Sequence, residues 1–295
     1  MPGPAPATPL FPTVASTVNP AATSTEIVMT EDSFIELKNL QREMWSSFAP
    51  TAALTTPVAG HLVDFASVGA GEKVLDVGCG TGVAAVTAAM RGATVAGLDL
   101  TPELLSHARE NEKIAGCGPI EWTEGDAERL PYPDSSFDVV LSQFGHMFAP
   151  RPDVALAEMR RVLKPGGRIA FATWPPEHFV GRFFALVSRH SPPPPEGAAP
   201  PPLWGLVPVV TERLSSGFGS PFFARGVMRV PALSLPHLWT YMSASIGPLQ
   251  KIVERLANDP EKLGAIRNEM IQLAEPYFSS NIIHQDYLLT RAVAR

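Results

Sequence analysis

The chain has 295 residues and a mass of 31.6 kDa, with 45% apolar and 18% charged residues: enough for a large core, and too apolar for wholesale disorder. Twenty-nine acidic against 23 basic side chains leave a net charge of −6, which argues against a broad phosphate-binding surface and hence a nucleic-acid partner. Two cysteines, Cys79 and Cys117, make neither a disulfide framework nor a C-x-x-C pair, so a reducing cytoplasm is the expected setting.

Six prolines fall in the first 20 residues, and the first charged side chain is Glu26. Residues 1–25 are expected to be a disordered Pro/Ala/Thr tail, without the basic start and apolar run of a secretory signal. Asp32–Phe48 predicts a helix with Trp45 and Phe48 on one side. Lys73–Val77 reads as a short apolar strand, Val83–Met90 as an alanine-rich helix and Thr94–Leu98 as a second strand. Thr101 and Pro102 open a helix through Arg109, as N-cap and first helical residue. Strands follow at Ile120–Thr123 and Phe137–Ser142, then a helix at Val154–Leu163 that Lys164-Pro165-Gly166-Gly167 should stop, then a strand at Arg168–Thr173. Phe179–Val187 predicts an apolar helix; Ser191–Pro202, with seven prolines in twelve residues, predicts a loop or extended segment. Strands are expected at Phe223–Val230 and His284–Val293, with helices near Leu238–Ile246, Leu249–Ala257 and Glu261–Ala274. No run approaches the ~18 apolar residues of a membrane span, so no membrane partner is expected.

Strands alternating with helices imply a parallel sheet covered on both faces, with ligands at the carboxyl ends of its strands. Asp76-Val77-Gly78-Cys79-Gly80-Thr81-Gly82 follows one strand and precedes a helix, where glycines let the backbone turn sharply and approach a ligand. The third glycine of a dinucleotide-binding G-x-G-x-x-G would be position 83, which is Val83, and no Gly-Lys-Ser/Thr follows. Asp99 ends the second strand, 21 residues after Gly78, where a carboxylate can accept from two ribose hydroxyls. Asp126, in Gly125-Asp126-Ala127, follows the third strand and can accept from an adenine amino group.

The segments VLDVGCGTG (74–82), VAGLDLTPELLSHAR (95–109), EGDAERLPYPDSSFDVVLS (124–142) and VLKPGGRIAFATW (162–174) resemble the class I S-adenosylmethionine-dependent methyltransferases, most nearly the ubiquinone/menaquinone C-methyltransferase branch. The resemblance covers roughly residues 70–175. It implies a Rossmann-like α/β fold, doubly wound, with a seven-stranded sheet whose last strand is antiparallel. It also implies S-adenosylmethionine as cofactor, with S-adenosylhomocysteine as product. Asp76 and the Gly78–Gly82 loop, Cys79, Gly80 and Thr81 included, would hold the methionine end. Asp99 would hold the ribose beside Leu100, and Gly125, Asp126 and Ala127 would read the adenine. Ser142 and Gln143 would lie near the sulfonium. Four parts are expected: the tail at 1–25, N-terminal lid helices at 26–70, the cofactor-binding core at 71–175, and at 176–295 a cap insertion with the strands that complete the sheet. Trp45, Phe48, Trp174, Phe179, Phe183 and Trp204 are the candidate substrate and lid residues.

The implied reaction is methyl transfer to a small, hydrophobic or aromatic molecule by in-line displacement, which needs alignment and exclusion of water more than a reactive side chain. His146 is the candidate general base, its alternative role being to order its loop through a bond to a backbone carbonyl. Asp138 reads as structural and Cys79 as packing. The remaining histidines show no paired metal spacing, so no metal is expected. A nicotinamide-dependent oxidoreductase and a non-catalytic cofactor-binding protein are the alternatives, and the chain does not reveal its oligomeric state, a homodimer being one option.

Overall fold

The computed structural model describes residues 24–295; the expected disordered tail lies, but for its last two residues, outside them. Helix α1 (Ser24–Trp45) starts eight residues before the predicted Asp32 and stops before Phe48, which instead precedes the short helix α2 (Ala49–Ala52). Helix α3 (Thr56–Phe65) completes the N-terminal segment and buries Val58, Ala59, Leu62 and Val63.

Strands β1 (Lys73–Val77), β2 (Thr94–Asp99), β3 (Glu121–Glu124), β4 (Phe137–Gln143) and β5 (Leu163–Thr173) carry the parallel part of the sheet. Every residue of β1 after Lys73 and of β2 after Thr94 is buried, the pattern of strands covered on both faces. Helices α4 (Val83–Met90), α5 (Pro102–Ala115) and α6 (Pro152–Val162) connect them. Thr101 takes the N-cap position of α5, but its side chain makes no capping hydrogen bond. Helix α6 ends at Val162, ahead of Lys164–Gly167 as predicted, but those four residues lie within β5 rather than before it. The pairing of β4 with β5 jumps from Phe137↔Leu163 to Val139↔Arg168, so these four residues bulge within a longer strand. Asp138 accepts from Lys164 Nζ at 2.7 Å and from the Lys73 amide at 2.9 Å, which ties the starts of β1 and β5 together as its structural reading requires.

Beyond β5 come α7 (Phe179–Arg189), α8 (Val207–Leu214), β6 (Phe222–Pro231), α9 (Leu235–Ser245), α10 (Gly247–Arg255), α11 (Pro260–Ala274), the two-residue β7 (Phe278–Ser279) and β8 (Ile282–Val293). The sheet order is β3-β2-β1-β4-β5-β8-β6, with β7 paired to the start of β8. Strand β8 is antiparallel to β5 and to β6, which gives the expected seven-stranded arrangement with its last strand reversed, plus one short addition. The proline-rich segment after α7 forms no regular element until the turn at Pro201–Gly205. Helices α7, α9, α10 and α11 pack on one another, and α10 also packs on α1, so the late insertion and the N-terminal helix meet.

The loops leaving β1 and β4 meet backbone to backbone at Gly78 and Gly145. An ideal Cβ on Gly145 would lie 2.3 Å from the Gly78 carbonyl oxygen, and one on Gly78 would lie 2.8 Å from the Gly145 Cα. Only glycine at both positions permits that approach. Gly145→Ala is therefore expected to cost about 1–3 kcal/mol in urea denaturation, the scale of overpacking. Unchanged stability would contradict this contact.

Candidate functional site

A cavity of about 250 Å³ opens at the carboxyl ends of the strands. Four loops line it: Gly78–Thr81 after β1, Asp99–Thr101 after β2, Gly125–Ala127 after β3, and Gln143–His146 at the end of β4. The glycine loop is held from three sides. The amides of Gly78 and Cys79 both donate to the Leu98 carbonyl, at 2.8 and 3.0 Å. Asn111 Nδ2 donates to the Thr81 carbonyl at 2.9 Å. Behind the loop stands Trp122 of β3, whose ring would be 2.5 Å from a Cβ on either Gly82 or Gly97. Its indole N–H donates to Glu112 at 2.6 Å. Sequence reasoning missed this residue, although Gly97 and Trp122 are register partners and a large ring facing a glycine was the available signal.

Asp99 sits at the cavity wall with Oδ2 accepting from the Gly80 amide at 2.7 Å and Oδ1 from the Thr101 amide at 2.9 Å. Burial raises its pKa above the ordinary carboxylate value. Asp76 lies beneath the loop and does not line the cavity; its Oδ2 accepts from the Ala85 amide at 3.0 Å and its Oδ1 is buried with no partner. Burial pushes its carboxyl up to about 7, opposed by the Ala85 bond. Asp126 accepts from the Glu128 amide at 2.9 Å and from Lys38 Nζ at 2.7 Å.

Lys38 comes from α1, 88 residues away, and also reaches Glu128 at 2.5 Å. Glu128 in turn accepts from the Arg151 amide and guanidinium at 2.6 and 2.8 Å, and the guanidinium lies 5.2 Å from the Phe34 ring centroid. Gln41 donates to the Phe148 carbonyl at 3.0 Å. On its other side α1 binds α10 through Glu43–Lys251 at 2.6 Å, and just beyond its end Ser47 donates to Gln250 at 2.9 Å. Helix α1 thus covers the cavity between the Asp126 loop and the insertion.

Of the candidate substrate and lid residues, Trp45, Phe48, Trp174, Phe179 and Phe183 line the cavity, joined by Phe144, Phe148 and Tyr241. Trp174 and Phe144 stack at 3.8 Å between centroids with 7° between planes. The charged groups in the lining are Lys38, Asp99 and Asp126.

Ser142, Gly82 and Trp204 do not line the cavity. Ser142 Oγ donates to the Val77 carbonyl at 2.6 Å and accepts from the His146 amide at 3.0 Å, stapling β4 to β1 and to its own loop. Gly82, at φ 79°, is the left-handed turn that opens α4 over the Trp122 ring. Trp204 is buried core, with Arg213 at 4.6 Å over its ring and with Phe171 and His146 beside it. His146 reaches the lining, but its ring is 1% exposed between Phe171 and Trp204, each 4.6 Å away, with neither nitrogen hydrogen-bonded. Burial, reinforced by Arg213, lowers its pKa to about 3. A ring that stays neutral down to that value is a weak proton acceptor at neutral pH, which argues against the general-base role. The carbonyl bond of the alternative reading is not formed either; the loop is ordered by the backbone amide on Ser142. Among the described residues no cluster of three metal-ligating side chains occurs, and no helix is long and apolar enough to cross a membrane.

Residues 75–171 match the family described as "Methyltransferase domain". Two uncharacterized proteins of Mycobacterium tuberculosis are 32% and 33% identical over 85% and 86% of this chain and 93% and 94% of their own length. The demethylmenaquinone methyltransferase of Tropheryma whipplei is 42% identical over 42% of this chain and 51% of that protein. Among solved structures, the YcgJ protein of Bacillus subtilis superposes with a TM-score of 0.56 at 19% identity, over 80% of this chain and 97% of that one.

The buried Asp76 carboxyl makes stability pH-dependent. In the folded chain it stays protonated to about 7, whereas in the unfolded chain it ionises near 3.8, so stability falls as pH rises between these values. Asp76→Asn removes that loss, and its stabilising effect is expected to be greater at pH 8 than at pH 5 by about 2–3 kcal/mol. Equal effects in denaturation at the two pH values would contradict the assignment.

Proposed function

We infer the reaction from one premise: the chain belongs to the class I S-adenosylmethionine-dependent methyltransferases. The reading is that it methylates a small, neutral, aromatic or otherwise apolar molecule. The observation that carries it is the continuity of the cavity, whose loop-lined trough runs into a chamber walled by aromatic rings.

The residues present fit the cofactor. The orphaned Asp76 Oδ1 under the glycine loop suits the ammonium of the methionine end, reached directly or through water. A Cβ at Gly80 would meet nothing within 4 Å, so the loop leaves open space above it. Asp99 would accept from the ribose with the lone pairs its two backbone bonds leave free, beside Leu100. Asp126 and Ala127 would take the adenine edge, with Gln143 at the reacting end. Bound there, S-adenosylmethionine supplies a methyl group already activated by the sulfonium.

The chain's own contribution is placement. Trp45, Phe48, Trp174, Phe179 and Phe183 exclude water and hold the acceptor against the trough, so that its nucleophile lies behind the methyl carbon. His146 stays neutral, packing the floor rather than moving a proton. Helix α1 acts as the lid, closed by Lys38 on Asp126 and Glu128. The acidic net charge and the two free cysteines agree with a small-molecule acceptor in a reducing cytoplasm.

Incubation with S-adenosylmethionine and a panel of small phenols, hydroquinones, aromatic amines and thiols is expected to yield S-adenosylhomocysteine with at least one neutral acceptor. Cofactor binding without turnover on any of them would favour the non-catalytic reading. For the lid, Lys38→Met is expected to speed S-adenosylhomocysteine release in stopped flow by tenfold or more. An unchanged release rate would mean that α1 does not gate exit.

A further inference from the structure

At the end of β4 the cavity lining carries a polar atom without a partner. Gln143 Nε2 donates to the Thr55 carbonyl at 3.0 Å. That bond fixes which way the amide faces, because the reverse orientation would set two carbonyl oxygens against each other. Gln143 lines the cavity, and its Oε1 is buried without a hydrogen-bond partner. A buried carbonyl oxygen left unpaired costs free energy that a ligand donor would recover.

The next residue points to the ligand's shape. Phe144 has φ 61°, a left-handed conformation that a bulky side chain adopts only when its surroundings impose it. The strained backbone sets the Phe144 ring flat against Trp174, making a rigid aromatic wall beside the Gln143 amide. Of the charged groups in the lining, Lys38 is already paired with Asp126, and Asp99 is bound by two backbone amides. Among the described residues the lining thus offers an apolar wall, an unpartnered amide oxygen directed by Thr55, and no cation outside an ion pair.

We propose that Gln143 Oε1, oriented by the Thr55 carbonyl, accepts a hydrogen bond from the methyl acceptor, and that this acceptor is a neutral aromatic compound bearing an O–H or N–H donor. The proposal rests on the methyltransferase reading and concerns recognition only. Gln143 is in this role a specificity-determining residue that touches the substrate. Carboxylated and phosphorylated acceptors are disfavoured, because among the described residues no unpaired cation in the lining meets them.

The test uses the full chain saturated with S-adenosylhomocysteine, titrated calorimetrically with 2-naphthol and with 2-methoxynaphthalene, which keeps the rings and lacks the donor. Wild type is expected to bind 2-naphthol about tenfold more tightly, the scale of one net hydrogen bond. Gln143→Leu is expected to bring the two probes within about threefold, by weakening 2-naphthol and leaving 2-methoxynaphthalene unchanged. The same preference in wild type and variant would overturn the proposal. So would a parallel loss of both probes, which is what a purely structural role predicts. Wild type that binds neither probe would overturn the aromatic class. If the leucine variant does not fold, Gln143→Met, unbranched and of similar length, gives the same comparison. Failure of wild type to bind S-adenosylhomocysteine would instead strike the methyltransferase reading itself, which separates the two failures.

Discussion

The backbone contact between Gly78 and Gly145 is the constraint on which the rest of the site depends. Two parallel neighbours, β1 and β4, end together, and the loops that leave them meet where no side chain fits. On one side of that contact lie Asp76, the glycine loop and Asp99; on the other lie Gln143, Phe144 and His146. The Ser142 hydroxyl reinforces it, since it bonds both the Val77 carbonyl and the His146 amide. Any residue larger than glycine at either position would push the trough and the aromatic chamber apart. The cavity is continuous because the two loops touch.

Around this fixed floor the closure is built from distant segments. Helix α1 is anchored to the Asp126 loop by a partly buried ion-pair network through Lys38, Glu128 and Arg151, and to α10 by the exposed Glu43–Lys251 pair. Buried pairs of this kind cost desolvation when formed and much more when one partner is lost, so they specify a position more than they add stability. Helix α1 is thereby registered on the Asp126 loop. On the chamber side Thr55 does the same for Gln143, so the N-terminal segment touches both ends of the cavity.

How much of this was legible in the sequence depended on distance along the chain. The bounds of β1 and α4 agree with the sequence reading, and those of β2 and β4 within one residue, because buried apolar runs between glycines and polar residues announce themselves locally. The four loop sites were legible for the same reason: each follows its own strand. Phe179 and Phe183 line the cavity, although helical spacing alone points to core packing. Trp204 went the other way, because an aromatic after a proline-rich loop carries no sign of which face it will pack on. The start of α1 was missed because its first residues read as a continuation of the Pro/Ala/Thr tail. Lys38 and Thr55 were invisible, since their partners lie 88 residues away in each case. His146 looked like a base from its position, and only the rings of Phe171 and Trp204 around it reveal a group held neutral.

The site combines two buried carboxyls, an acidic cavity edge and a dry aromatic chamber. That combination suits a cofactor with a cationic methionine end and an acceptor without charge. A nicotinamide dinucleotide would place a pyrophosphate on the glycine loop, beside the Asp76 and Asp99 carboxyls, which offer no positive charge to receive it. Parallel calorimetric titrations with S-adenosylhomocysteine and NAD test this most directly. Micromolar binding of S-adenosylhomocysteine with no detectable binding of NAD is the predicted result. Binding of NAD alone would contradict the account.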